Sequence, residues 1–300
     1  MEEQGKSEKR TFESFHNKYY KLFLLIPLCL IVFSLLYMGM FYSKNNDFIY
    51  KDVSLTGGTS ATIYGKINTE NLEQELSNKL DDVGFREVYD VVTREQKAVI
   101  IETKSDIETT KQVLEEYLGY ELDGENSSFE FTGSVLSENF YNQLLIAILI
   151  AFVFMGVVVF IIFRTFIPSA AVIISAFADI LMTLTLVNML GMKMSSAGIV
   201  AFLMLIGYSV DTDILLTNRI LKRREWSLNQ RIFGAFKTGI TMTLTSLLAI
   251  VFALLVVKSF SVVLTQIFTI LVIGLCFDIF NTWVTNVSIL KGYMEKKHGT

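Results

Sequence analysis

Long apolar runs set the organisation of this chain. Six stretches are apolar enough to cross a bilayer: Leu22–Tyr42, Leu144–Phe163, Pro168–Leu190, Ala197–Asn218, Thr238–Val257 and Val262–Leu290. A crossing helix needs about 20 mostly apolar residues to cover roughly 30 Å of hydrocarbon. The second run carries no polar side chain, and Pro168 opens the third, where a missing N–H costs little. The first run is too long for a signal-peptide core, and no small-residue cleavage site follows Met40–Tyr42, so it is expected to stay as an anchor.

Between the first two runs the pattern changes. Residues 43–141 alternate in the manner of a small α+β domain. Val53–Ile63 reads as a strand interrupted at Gly57-Gly58, and Thr69–Val83 as a helix capped by Asn68 or Thr69. Glu87–Thr93 and Ala98–Thr103 read as a hairpin around Arg94–Lys97, Asp106–Leu118 as a second helix and Ser128–Phe131 as a last strand. The order β-α-β-β-α-β is that of a ferredoxin-like split unit. The expected fold class is therefore a polytopic α-helical membrane protein with six transmembrane helices and one ferredoxin-like domain. The expected divisions are a tail 1–21, a first span 22–42, the α+β domain 43–141, a five-helix bundle 142–290 with a basic loop 219–237, and a tail 291–300.

Charge placement orients these pieces. Fifteen lysines and arginines lie in the N-terminal tail (Lys6, Lys9, Arg10, Lys18, Lys21), at Arg164, in the loop after the fourth run (Arg219 to Lys237, with Lys222, Arg223, Arg224 and Arg231) and near the C-terminus (Lys291, Lys296, Lys297). The opposite short loops hold only Lys193 and Lys258. The positive-inside bias puts both termini in the cytoplasm and residues 43–141 outside it, in a cell (plasma) membrane. Overall composition adds to this: 52% hydrophobic and 19% charged, with a net charge of −4 and no basic block resembling a nucleic-acid footprint. Cys29 and Cys276 lie in apolar runs, and His16 and His298 in polar tails. No disulfide framework, metal site, cofactor or His-based catalytic centre is expected from them.

Four aspartates break the apolar runs: Asp179, Asp211, Asp213 and Asp278. Each costs about 2.5–3.5 kcal/mol at mid-membrane if isolated, so they should face a bundle interior or a wet cavity. Each of three has polar company at helical spacing: Ser175 and Thr183 beside Asp179, Ser209 and Thr217 beside Asp213, and Asn281, Thr282 and Thr285 beside Asp278. Thr238, Thr241 and Thr245 add a stripe to the fifth run. Asp179 sits near the midplane, and Asp211, Asp213 and Asp278 toward the cytoplasmic third. Asp211 and Asp213 are about 200° apart around a helix, so both cannot meet one partner. A protonation relay and a set of hydrogen-bonded helix contacts, or snorkelling to Arg219 and Arg223, both remain open on these residues alone.

The fourth run carries a resemblance. Gly207-Tyr208-Ser209-Val210-Asp211-Thr212-Asp213-Ile214, continuing to Asn218-Arg219-Ile220-Leu221-Lys222-Arg223, resembles the fourth-helix signature of the SecF family, in its archaeal branch, within the resistance-nodulation-division superfamily. Gly57-Gly58-Thr59, Gly133-Ser134-Val135 and Lys237-Thr238-Gly239-Ile240-Thr241-Met242-Thr243 are similar to that family as well. The resemblance implies a SecD-like partner, a place beside the Sec translocon channel in the lipid bilayer, an unfolded translocating polypeptide as substrate and no nucleic acid. It implies assistance to protein export driven by the proton motive force. Bacterial relatives show Asn-Asp-Thr where this chain has Asp211-Thr212-Asp213, and Arg-Thr where it has Lys237-Thr238. Asp211, Asp213 and Lys237 are thus the carried-over candidates, with Arg219 as a further charge partner.

Other readings are a small-solute transporter subunit of the same superfamily and a translocon scaffold without ion coupling. Transporters of that kind usually hold two homologous halves, and this chain has one Gly-Gly-Thr string and one Gly-Tyr-Ser string. An intramembrane protease is disfavoured, since Asp211 and Asp213 on one helix cannot form a facing dyad.

Overall fold

A computed structural model describes residues 24–69, 72–90, 93–222, 226–258 and 261–298. The N-terminal tail with its five basic residues, and Arg223 and Arg224, lie outside the described residues. Among the described residues, six helices are long and apolar enough to cross a membrane. They are α1 (Leu25–Asn45), α5 (Ser134–Phe163), α6 (Phe166–Met189), α7 (Ser196–Lys222), α8 (Leu228–Val257) and a sixth that is interrupted. The sixth runs as α9 (Val262–Phe280), a π-helical turn (Asn281–Asn286) and α10 (Val287–His298). Within it, the uniform helix expected over Val262–Leu290 is broken with neither glycine nor proline at the break.

Burial sorts the bundle. α6 and α7 are its most enclosed helices, whereas α5, α8 and much of α1 turn apolar faces outward. Leu205, Ile270 and Leu271 anchor one packed layer between α7 and α9. Leu216, Ile220, Ile232 and Leu290 form another toward the other end. Gly274 lets the branched end of Leu205 lie against α9, since a Cβ there would come within 2.5 Å of it. The segment 219–237 is mostly helical rather than a loop. α7 continues to Lys222, and Ser227 with Gln230 forms a capping box that starts α8 at Leu228.

The α+β domain contains α2 (Val53–Thr56), β1 (Gly58–Tyr64), α3 (Leu72–Leu76), β2 (Gly84–Tyr89), β3 (Gln96–Thr103), α4 (Ile107–Leu118) and β4 (Ser127–Thr132). The sheet order is β2-β3-β1-β4 with every pairing antiparallel, the arrangement that the β-α-β-β-α-β order requires. Ile63, Val99 and Ile101 project from one face onto Leu72, Leu76 and Leu114. The hairpin and α4 follow expectation, with Asp106 capping α4 through Thr109 N–H at 2.9 Å. Two elements differ. Val53–Ile63 is not one strand, because the Asp52 carboxylate accepts from Ser54 N–H at 2.9 Å and starts a helical turn that Gly57 ends. The first domain helix is one short turn, Leu72–Leu76, rather than Thr69–Val83.

Gly57 and Gly58 mark where this turn becomes β1. Their φ angles are +81° and +136°. A Cβ on Gly57 would lie 2.5 Å from Ser134 Cα, and one on Gly58 would run into the Thr103 carbonyl. Both positions need glycine for conformation and for space.

Domain and bundle are joined closely. β4 passes through Gly133 straight into α5, whose first turns precede the fully apolar run. The α6–α7 loop is stitched to the chain before α2: Met194 N–H donates to Tyr50 O at 2.5 Å, and Asp52 N–H to Met194 O at 3.0 Å. Ser196 N–H donates to Ser54 Oγ at 3.0 Å, and Lys193 Nζ to Asp82 at 2.8 Å. Beneath them Gln266 of α9 accepts from Ser195 N–H at 3.1 Å and donates to Lys193 O at 2.6 Å.

Candidate functional site

Polar stripes on α6, α7 and the sixth span meet at the centre of the bundle. Asp179, Asp213 and Asp278 are fully buried there, each 0% exposed. Helical spacing puts Ser175 and Thr183 one turn either side of Asp179, and Ser209 and Thr217 one turn either side of Asp213. Apolar residues fill the other faces of the same helices, so these positions point inward together.

The contacts are specific. Ser209 Oγ donates to Asp179 Oδ2 at 2.5 Å, linking α7 to α6. Asn281 Nδ2 donates to Asp179 Oδ1 at 2.7 Å, and Asn286 Nδ2 to Asp213 Oδ1 at 2.7 Å. Thr282 Oγ1 lies 2.9 Å from Asp213 Oδ1 and 3.3 Å from Asp278 Oδ1, so those two carboxyls share one hydroxyl. Thr285 Oγ1 donates to Asn281 Oδ1 at 3.2 Å and steadies the amide.

Neutral donors provide all of these bonds, and no ion pair among the described residues includes Asp179, Asp213 or Asp278. Bringing an ionised carboxyl into such an interior costs several kcal/mol per ion unless it is paired. Three carboxyls in one buried centre therefore cannot all be ionised at low cost, and proton occupancy becomes the adjustable quantity. No close hydrogen bond reaches Asp213 Oδ2 or Asp278 Oδ2 from the described residues, while the Ser175 hydroxyl lies toward Asp213 and that of Ser209 toward Asp278. A carboxyl oxygen with no close hydrogen bond is where a proton can be placed or removed without first breaking one.

The remaining candidates stand elsewhere. Asp211 is exposed on the outer face of α7, on the same side as Gly207 and Tyr208. Arg219 turns to neutral acceptors on α8, donating to Gly234 O and, at 2.9 Å, to Thr238 Oγ1. Arg231 returns the contact by donating to Ile220 O at 2.6 Å. Lys237 is exposed on α8. Among the named motif residues Ser209 alone joins the centre, while Gly57 and Gly58 serve the domain. Asn286 was not among the expected site residues, although it follows Asp278 and Thr282 at the same four-residue spacing that places Ser175 and Thr183 beside Asp179.

Comparison with known proteins gives this geometry a family. The family described as "Protein export membrane protein SecD/SecF, C-terminal" matches residues 112–296. The protein-export membrane protein SecF of Methanocaldococcus jannaschii is 40% identical over 93% of this chain and 97% of its own length. The chain belongs to the SecF family. The SecF of Methanothermobacter thermautotrophicus is 38% identical over 93% of this chain, and that of Pyrococcus furiosus 31% over 93%. The crystal structure of SecDF, a translocon-associated membrane protein from Thermus thermophilus, matches with a TM-score of 0.71 at 21% identity. That match covers 93% of this chain and 38% of the SecDF chain, and it establishes the shared fold. Like other SecF chains, this is a multi-pass membrane protein of the protein-export class.

Proposed function

We propose that this SecF works with a SecD-like subunit beside the Sec translocon channel, and that proton movement through its buried carboxyls drives assistance to an unfolded polypeptide crossing the membrane. The carrying observation is the buried centre itself: Asp179, Asp213 and Asp278 gathered from three helices and held by hydroxyls and amides, with no basic side chain paired to them among the described residues. A relay needs a site that accepts and gives up a proton at modest cost, with the membrane potential contributing about 2.3 kcal/mol per charge per 100 mV.

Orientation follows from the basic flanks. Both termini are cytoplasmic, and the α+β domain stands on the outer side, where an emerging polypeptide is met. The exposed face of α7 with Gly207, Tyr208 and Asp211 is the surface offered to the SecD-like subunit, since a carboxyl facing acyl chains would be costly. The reaction is transport, with no bond made or broken in the substrate.

The test is Asp213→Asn, which keeps shape and hydrogen bonding but removes titration. Membrane insertion should be unchanged, and export of a secreted reporter should slow several-fold and lose its response to dissipating the proton gradient. Export at the normal rate in Asp213→Asn, Asp278→Asn and the double variant would leave a scaffold without ion coupling.

A further inference from the structure

The π-helical turn of the sixth span does something an ordinary helix cannot. Val287 N–H reaches back to Thr282 O, five residues away, and the turn spans Asn281–Asn286. In an unbroken α-helix Asn281 and Asn286 would stand about 140° apart, on opposite flanks of the stripe that carries Asp278 and Thr282. The wider turn brings both inward, one onto Asp179 and the other onto Asp213, each at 2.7 Å. Thr282 lies between them on Asp213 and Asp278. The same turn presents Trp283 to α8, edge-on to Phe236 at 5.0 Å and against the bare backbone of Gly239. Such turns are rare and concentrate at functional sites.

We propose that Asn281 and Asn286, set in register by this π turn, are the positioning residues of the carboxyl relay, an inference that rests on the proton-coupled reading above. An amide N–H can only donate. It therefore holds Oδ1 of each aspartate whether or not the carboxyl carries a proton, and leaves Oδ2 of Asp213 outside the amide contact. The charged groups that face Asp213 are Asp179 on α6 and Asp278 on α9. Lys291, buried on α10, has Glu295 as its charge neighbour, while Arg219 is turned to α8 and Lys237 is exposed. With no ion pair to these carboxyls among the described residues, their relative placement depends on the two amides and the hydroxyls of Thr282, Ser209 and Ser175.

The experiment measures export of a secreted reporter against external pH, in cells carrying the full chain and its partners. Asn281→Leu and Asn286→Leu should each move the midpoint of the profile by about one pH unit, as expected when a polar neighbour of a titrating group is lost. Asn286→Gln should recover part of the shift. Deleting Val284 leaves Asn281 and Asn286 four apart, about 40° around an α-helix, so both stay on the inner face. That variant should reach the membrane and export at close to the normal rate. Unchanged profiles in both leucine variants, with Asp213→Asn impaired, would overturn the positioning role while sparing the relay. Loss of export in the Val284 deletion, with the protein present in the membrane, would overturn it too. Normal export in Asp213→Asn, Asp278→Asn and the double variant would remove the relay, and the positioning role with it.

Discussion

Asp211 and Asp213, two residues apart on α7, face opposite sides of their helix: Asp213 is fully buried and Asp211 is exposed. One side is read by the bundle and the other by whatever lies outside this chain. Asp213→Leu should leave the Asn286 amide without its acceptor and the Thr282 hydroxyl with Asp278 alone. Unpairing a buried donor costs about 1–3 kcal/mol. Asp211→Leu should leave thermal unfolding of the purified chain unchanged or raise it, and should weaken copurification of the SecD-like subunit. Thermal melts and pull-downs in mild detergent separate the two.

The joint between domain and bundle contains a weak contact and a strong one. Lys193 and Asp82 are both about 40% exposed, and Lys104 also pairs with Asp82, at 3.1 Å. Exposed pairs contribute about 0–1 kcal/mol, so Lys193→Ala should hardly move the melting temperature. Gln266→Leu strips buried partners from Ser195 N–H and the Lys193 carbonyl, and should destabilise by about 1–3 kcal/mol. Equal effects of the two substitutions would contradict this ranking.

Asp52 makes a pH prediction. Burial pushes its carboxyl above the ordinary value of 3.8, although the Ser54 contacts oppose that. A folded-state pKa raised above the unfolded one means that stability is fullest at low pH and declines as pH rises past 3.8. Asp52→Asn keeps a helix-capping oxygen and should remove this decline. Asp52→Ala loses the cap and should cost about 1 kcal/mol at any pH. Melting curves across the acid-to-neutral range would check both.

Gly57→Ala and Gly58→Ala should each sharply reduce folded protein, because the added Cβ meets backbone on Ser134 or Thr103 that cannot swing aside. Gly207→Ala, with open space at its Cβ, is the control and should accumulate normally. The measurement is the monodisperse yield after extraction.

Much of this was legible from residue order. Apolar runs marked the six spans, and a 100° step per residue showed that Asp211 and Asp213 must part company. Other features hinge on contacts between distant segments. Val53-Ser54-Leu55-Thr56 resembles strand by composition, yet one capping carboxylate and one glycine turn it into a helix. Arg219 looked like a partner for an aspartate, but its reach along α7 brings it to the Gly234 carbonyl. The π turn has no composition of its own: Asn286 follows Asp278 and Thr282 at four-residue spacing, and its seat on Asp213 is decided by three helices at once.

The unbroken passage from β4 into α5 has a mechanical consequence. A helix of 30 residues is about 45 Å long. With its far end pivoting at Arg164, a tilt of about 5° sweeps Ser134, and the sheet edge attached to it, through about 4 Å. Small rearrangements deep in the bilayer can thereby be geared up into strokes of the size of one residue of extended chain, without any flexible joint in between.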